Sequence, residues 1–220
     1  MKLIIILSTL LVSIFAYSYV VPTYRDLKPA TQVMLEKQSF GAPIAASANT
    51  ITSAYAGATT TTGVTLSTFT SQPDVPRNIV ITPGGTTADV AATTLTVNGT
   101  SYFGKAISET FVFAENASSA TTGAKAFKTV TSVVFPAGAE DSPYSATWSI
   151  GVGEKIGLKR CLTYAGDWAW STIAGAYEAT RATVVADADE VEKNTADFNG
   201  TMNGSDAFIG YFIQNFGCLP

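Results

Sequence analysis

The sequence predicts an all-β protein: an antiparallel β-sandwich or small β-barrel with an extended N-terminal arm. Between Asp74 and Leu158, apolar and small polar residues alternate in one short run after another, the period of a half-buried strand. Gly, Pro and Asn punctuate these runs where turns are needed. Thr, Ala, Gly, Ser and Val dominate the composition, and charged residues make up only 14% of the chain. That balance suits a β-rich extracellular or virion protein better than a nucleic-acid binder.

Three segments follow from this reading: residues 1–18 as an apolar leader or retained arm, 19–70 as an extended arm, and 71–220 as the β domain. Met1 and Lys2 precede the apolar run Leu3 to Phe15, and the small residues Ala16 and Ser18 stand before a cleavage point after Ser18. This is the pattern of a secretory signal peptide. An apolar arm that packs against a partner fits the same residues, as does an upstream extension from a misplaced start. The run is short of the roughly 20 apolar residues a membrane span needs, so no stable span is expected.

Pro22, Pro29 and Pro43 interrupt helices in the next segment and leave only Ala30 to Gln38 for a short helical stretch. Ala45 to Thr70 has little apolar mass, so it reads as an arm with weak strands, Gly63 to Phe69 among them, ordered by its neighbours. Arg77 to Thr82 is an apolar strand stopped by Pro83, Gly84 and Gly85. Ala91 to Val97 and Ala106 to Phe113 alternate, and Asn98, Gly99 and Gly104 between them predict a hairpin. Phe127 to Phe135 reads as one strand, with Val130 and Val134 opposing Val133 and Phe135. Tyr144 to Val152 places Tyr144, Ala146, Trp148, Ile150 and Val152 on one face. Thr172 to Val185 is less regular, and Ala207 to Phe216 is an apolar, aromatic strand expected at a sheet centre, closing the fold.

Histidine is absent, which removes the usual general base, the usual nitrogen metal ligand and any Ser-His-Asp arrangement. The formal net charge is −4, and no basic stripe offers phosphate contacts, so nucleic acid is not an expected partner. Asp187, Asp189, Glu190 and Glu192 form the densest acidic cluster. They lack the glycine and terminal glutamate spacing of an EF-hand and read as a solvated loop. Glu140 and Asp141 are adjacent in a turn, where two carboxylates rarely flank a glycosidic bond as an acid and a base. A hydrolase using an Asp/Glu pair therefore rests only on scattered acids. Gly84 to Thr87 lacks the Lys-Ser/Thr of a phosphate loop and reads as a turn. No catalytic residue, cofactor or metal is expected.

Three features bear on interaction instead. Cys161 and Cys218 could close one disulfide or remain two buried thiols. Trp168 and Trp170, two apart, point the same way on a strand, either into the core or toward a subunit or sugar surface. Asn98, Asn116, Asn199 and Asn203 begin N-x-S/T sequons, which chance alone supplies in so Asn-, Ser- and Thr-rich a chain.

The stretch NIVITPGGTTADVAA, the hairpin ending in FGKAISETFVF, then TTGAKAFKTVTSVVFPAG and IGVGEKIGL resemble a strand succession in structural proteins of tailed bacteriophages. The likeness runs from Asn78 to Leu158, with a weaker echo in DAFIGYFIQNF. It implies a virion component on the capsid surface, of the decoration or cement kind, whose partners are the major capsid protein or other virion subunits. It also implies a homo-oligomer, with a trimer compatible with lattice symmetry points. It carries over no catalytic residues. The alternative expectation is a secreted or surface-displayed β-sandwich binding module, with carbohydrate as one ligand class.

Overall fold

The computed structural model describes residues 35–56 and 63–213, and these form antiparallel β-sheets without an α-helix. In chain order the strands are β1 Leu35–Gly41, β2 Ser47–Tyr55, β3 Val64–Leu66, β4 Arg77–Gly85, β5 Thr93–Thr100, β6 Ala106–Phe113 and β7 Thr121–Phe127. They continue with β8 Thr129–Phe135, β9 Ala146–Gly157, β10 Trp168–Ile173, β11 Ala176–Tyr177, β12 Thr183–Val185, β13 Thr195–Asp197 and β14 Phe208–Ile213. Three sheets result. The first runs β1-β14-β10-β11, the second β12-β13-β9-β4-β7 with β2 also on β9, and the third β3-β8-β5-β6.

Two apolar cores follow from the alternation. The first fills the space between the second and third sheets with Ile79, Ile81, Leu95, Phe111, Trp148 and Ile150, all shielded from water. The second packs the first sheet onto the far end of β9 through Phe40, Ile156, Leu158, Trp168, Phe208 and Phe212. β9 is long enough to serve both: Ala146, Trp148, Ile150 and Val152 enter the first core, as their spacing predicts, and Ile156 enters the second. Tyr144, expected on the same face, lies before the strand at φ 63° and is exposed.

Arg77 is wholly buried beside β9. Its Nε donates to the Gly153 carbonyl at 2.8 Å and its Nη1 to the Ile44 carbonyl at 2.7 Å, while Asp74 lies 3.5 Å away. Burial pulls its pKa down and Asp74 opposes that shift. A buried guanidinium is tolerated because its donors meet carbonyls and a carboxylate.

Several local expectations give way to longer-range packing. Within Ala30 to Gln38, residues 30–34 lie outside the described residues, and Leu35 onward is strand β1 rather than helix. Gln38 explains the preference: its buried carboxamide accepts the Lys159 N–H at 3.0 Å and donates to the Gly157 carbonyl, tying β1 to the end of β9. Residues 45–70, read as an arm, contribute β2 on β9 and β3 on β8.

Pro83 does not stop its strand. β4 pairs with β7 only as far as Ile81, so Pro83 occupies an edge on that side and loses no ladder bond there, while it still faces Trp148 on β9. Asn98 and Gly99 are not a turn but strand, opposite Ser108 and Ile107. A Cβ at Gly99 would press into the Thr129 carbonyl and the Phe127 ring, which is why glycine stands in mid-strand. The hairpin turns instead over 101–105, with Gly104 at φ 84°.

Phe127 to Phe135 is two strands, β7 and β8, divided at Lys128 where the chain leaves the second sheet for the third. The pairing of β8 with β5 slips between Asn98 and Gly99, so Thr131 is an extra residue and Val130 turns inward with Val133 and Phe135. The expected opposition of Val130 to Val133 is thereby removed. The final strand has the expected place at a sheet centre: β14 lies between β1 and β10, and residues 214–216 of the expected run lie outside the described residues.

Candidate functional site

The two tryptophans of β10 do not share a face. Trp168 pairs with Phe212 and Trp170 with Tyr211, so the ladder slips by one residue at Ala169. Because Tyr211 and Phe212 are consecutive on β14, their side chains point to opposite faces, and the bulge sends the tryptophans with them. Trp168 is 1% exposed, stacked on Phe212 and set edge-on to Phe198 in the second core. Trp170 is half-buried on the outer face, its ring stacked on Tyr211 with centroids 5.0 Å apart.

The outer face of the first sheet carries this aromatic pair. Its central row is Lys37, Tyr211 and Trp170, flanked by Leu35 and Ile213 on one side and by Ser39, Ile209, Thr172 and Tyr177 on the other. Leu35 and Tyr177 are 46% and 69% exposed. Tyr211 as the partner of Trp170 was not legible from local sequence, since it depends on strand pairing some 40 residues away (211 against 170).

Cys161 is buried and disulfide-bonded. Cys218, the only other cysteine, lies outside the described residues.

The acidic cluster is not a solvated loop throughout. Glu192 is 4% exposed, and its Oε1 lies 3.8 Å from Lys105 Nζ and 3.9 Å from Lys125 Nζ. Glu190 pairs with Lys193, which holds its carboxyl below the usual range. Asp187 accepts the Glu190 and Asp189 N–H groups at 2.8 and 2.9 Å, and these bonds lower its pKa. Asn194, fully buried, organises the whole turn. Its Oδ1 accepts Leu162 N–H at 2.7 Å and Asp187 N–H at 3.0 Å, while its Nδ2 donates to the carbonyls of Asp187 and Glu190. Asp187, Glu190 and Glu192 thus meet lysines and backbone amides, Glu192 Oε2 stays buried without a hydrogen bond, and among the described residues no three acidic, His or Cys side chains converge as a metal site.

Glu140 and Asp141 lie in different surroundings. Glu140 is buried and accepts the Trp148 indole N–H at 3.1 Å, whereas Asp141 is exposed. Gly84 and Gly85 end β4, and Thr87–Asp89 forms a single 3-10 turn with no helix behind it.

A cavity of about 300 Å3 opens among Ala45, Ala46, Glu154, Asn199, Thr201 and Met202. Beside it Glu178, a residue the sequence did not single out, is buried and fully engaged. Its Oε2 accepts Ser171 Oγ–H at 2.5 Å, and its Oε1 accepts the N–H groups of Asn199 and Gly200. On β13, Asp197 has its pKa raised, first by burial and then by Glu154. No helix among the described residues is long and apolar enough to cross a membrane.

Comparison with family models, with curated proteins and with solved structures gives no match.

Proposed function

We propose that the chain is a non-enzymatic structural protein of a tailed-bacteriophage particle, of the decoration or cement kind, meeting neighbouring subunits through the outer face of the first sheet. The observation that carries this reading is the Trp170–Tyr211 stack, flanked by Leu35, Ile209, Ile213 and Tyr177 on rigid strands. Aromatic side chains with few degrees of freedom are the residues that anchor protein interfaces, and an apolar cluster on an open sheet face gains by being covered. The strand succession from Asn78 to Leu158, with its phage-like turns, supports the same reading. Cementing needs no chemistry: contacts made only in the assembled shell stabilise it by mass action.

Mass spectrometry of purified particles tests this. The chain is expected at a copy number comparable to the capsid subunit, and its absence from the particles overturns the reading.

A secreted β-sandwich binding module is the second reading, favoured by the disulfide at Cys161, since such bonds persist in oxidising compartments. N-terminal sequencing of the mature protein separates the two. A start at Tyr19 supports export, and an intact Met1 supports the particle.

A further inference from the structure

Three asparagines precede glycine: Asn98, Asn199 and Asn203. In this dipeptide the glycine nitrogen can attack the asparagine side-chain carbonyl carbon, because no Cβ on the next residue hinders the approach. The native structure treats the three very differently. Asn98 lies within β5, paired on both sides, and its Nδ2 donates to Ser132 Oγ at 3.1 Å. Asn203 is pinned at both ends of its carboxamide. Its Oδ1 accepts the N–H groups of Ser205 and Asp206 at 2.8 and 2.9 Å, and its Nδ2 donates to Asp206 at 2.6 Å.

Asn199 differs in two respects. Like that of Asn203 its side chain is exposed, but its carboxamide makes no hydrogen bond to the described residues. The nucleophile it would meet, the Gly200 nitrogen, already donates its proton at 3.1 Å to Glu178 Oε1, a carboxylate held in place by Ser171.

We propose that Asn199 is a self-modifying site, converted to a carboxylate by the Gly200 nitrogen with Glu178 as proton carrier. The Gly200 N to Asn199 Cγ bond forms as the amide proton passes to Glu178. The Cγ–Nδ2 bond then breaks, and the leaving nitrogen takes that proton and departs as ammonia. Water opens the cyclic imide to aspartate or to isoaspartate. The product places a new negative charge on the rim of a cavity that Glu154 already lines, next to Glu178. Repulsion there loosens the loop 198–202, so the reaction is a one-way timer on that edge of the fold.

The test is peptide mapping by mass spectrometry on the purified full chain, incubated folded at neutral pH and, in parallel, unfolded in urea. In urea the three sites share the same local chemistry and convert at similar rates. In the folded protein Asn199 is expected to outpace Asn98 and Asn203 several-fold. Glu178→Gln is expected to slow Asn199 several-fold without changing the other two. Asn199→Gln, an exposed change, abolishes the early mass shift and assigns it to this position. Conversion of Asn203 or Asn98 as fast as Asn199 in the folded chain overturns the proposal. So does an unchanged Asn199 rate in a folded Glu178→Gln protein. If Glu178→Gln does not fold, the folded-against-urea ranking of the three sites decides alone.

Discussion

The Glu109 carboxylate on β6 accepts the backbone N–H of Ala124 on β7 at 2.6 Å, and the next N–H, of Lys125, at 3.3 Å. β6 is an edge of the third sheet and β7 an edge of the second, so one side chain does across this seam what a strand ladder does within a sheet. Gly123 makes room for it, since a Cβ there would collide with the carboxylate and lie 2.9 Å from the Phe111 ring. Glu109→Ala should lower stability by about 0.5–1.5 kcal/mol, the net worth of hydrogen bonds to an exposed Ala124 amide and a partly buried Lys125 amide. It should also speed hydrogen exchange at Ala124 and Lys125. Unchanged exchange at those two amides would show that the seam is held elsewhere.

Glu109 also gives a signed pH dependence. Burial raises its folded pKa, and the bonds from Ala124 and Lys125 with the charges of Lys125 and Lys155 oppose this incompletely. The folded protein thus holds this proton to a higher pH than the unfolded chain does. The stabilising contribution is full below the unfolded pKa of about 4.5 and is lost as pH rises through the folded value. Urea unfolding of the wild type and Glu109→Gln across that window should show the wild type losing ground as pH rises. Asp187 works in the opposite sense: its lowered pKa makes its contribution present above the ordinary carboxylate range and lost on acidification.

Asn194 is the most consequential single polar side chain in the turn after β12. It is wholly buried with four hydrogen bonds to backbone, so Asn194→Ala orphans the Leu162 and Asp187 N–H groups and the Asp187 carbonyl, while the Glu190 carbonyl keeps the Lys193 N–H. A loss on the order of 3 kcal/mol is expected, against a fraction of that for the exposed Asp189→Ala. Thermal unfolding measures both; equal, small shifts would rule out this role.

Much of the β architecture is legible in the sequence because alternation survives wherever a strand pairs without a bulge. Ala106 to Phe113 and Ala146 to Val152 bury the residues their spacing selects. The failures are bulges and edges. Nothing local marks Ala169 or Thr131 as the residue that reverses a face, because the slip is defined by the partner strand. Asn98–Gly99 carries turn chemistry, yet a neighbouring carbonyl and ring demand a glycine in the strand there. Glu178 and Gln38 are ordinary polar residues in sequence and acquire their roles from backbone groups distant along the chain.

The disulfide at Cys161 should be a substantial part of the stability. Removing a native disulfide costs on the order of 2–5 kcal/mol. Cys161→Ser, or reduction of the wild type, should lower the denaturant midpoint accordingly. A midpoint indifferent to reductant would mean that the buried surroundings of Cys161 hold the region without the bond.

The bulge at Ala169 makes the two tryptophans separable by experiment. Trp168→Ala empties part of the second core and should cost about 3–5 kcal/mol, and Gly210→Ala should be severe too because its methyl would enter the Trp168 ring. Trp170→Ala removes an outer-face stack worth about 0.5–1.5 kcal/mol beyond the area it covers, leaving the core intact. If the outer face of the first sheet is the subunit contact, Trp170→Ala combined with Tyr211→Ala folds but fails to enter particles. A folded double variant incorporated at wild-type copy number would move the contact to another face, while leaving the particle assignment itself standing.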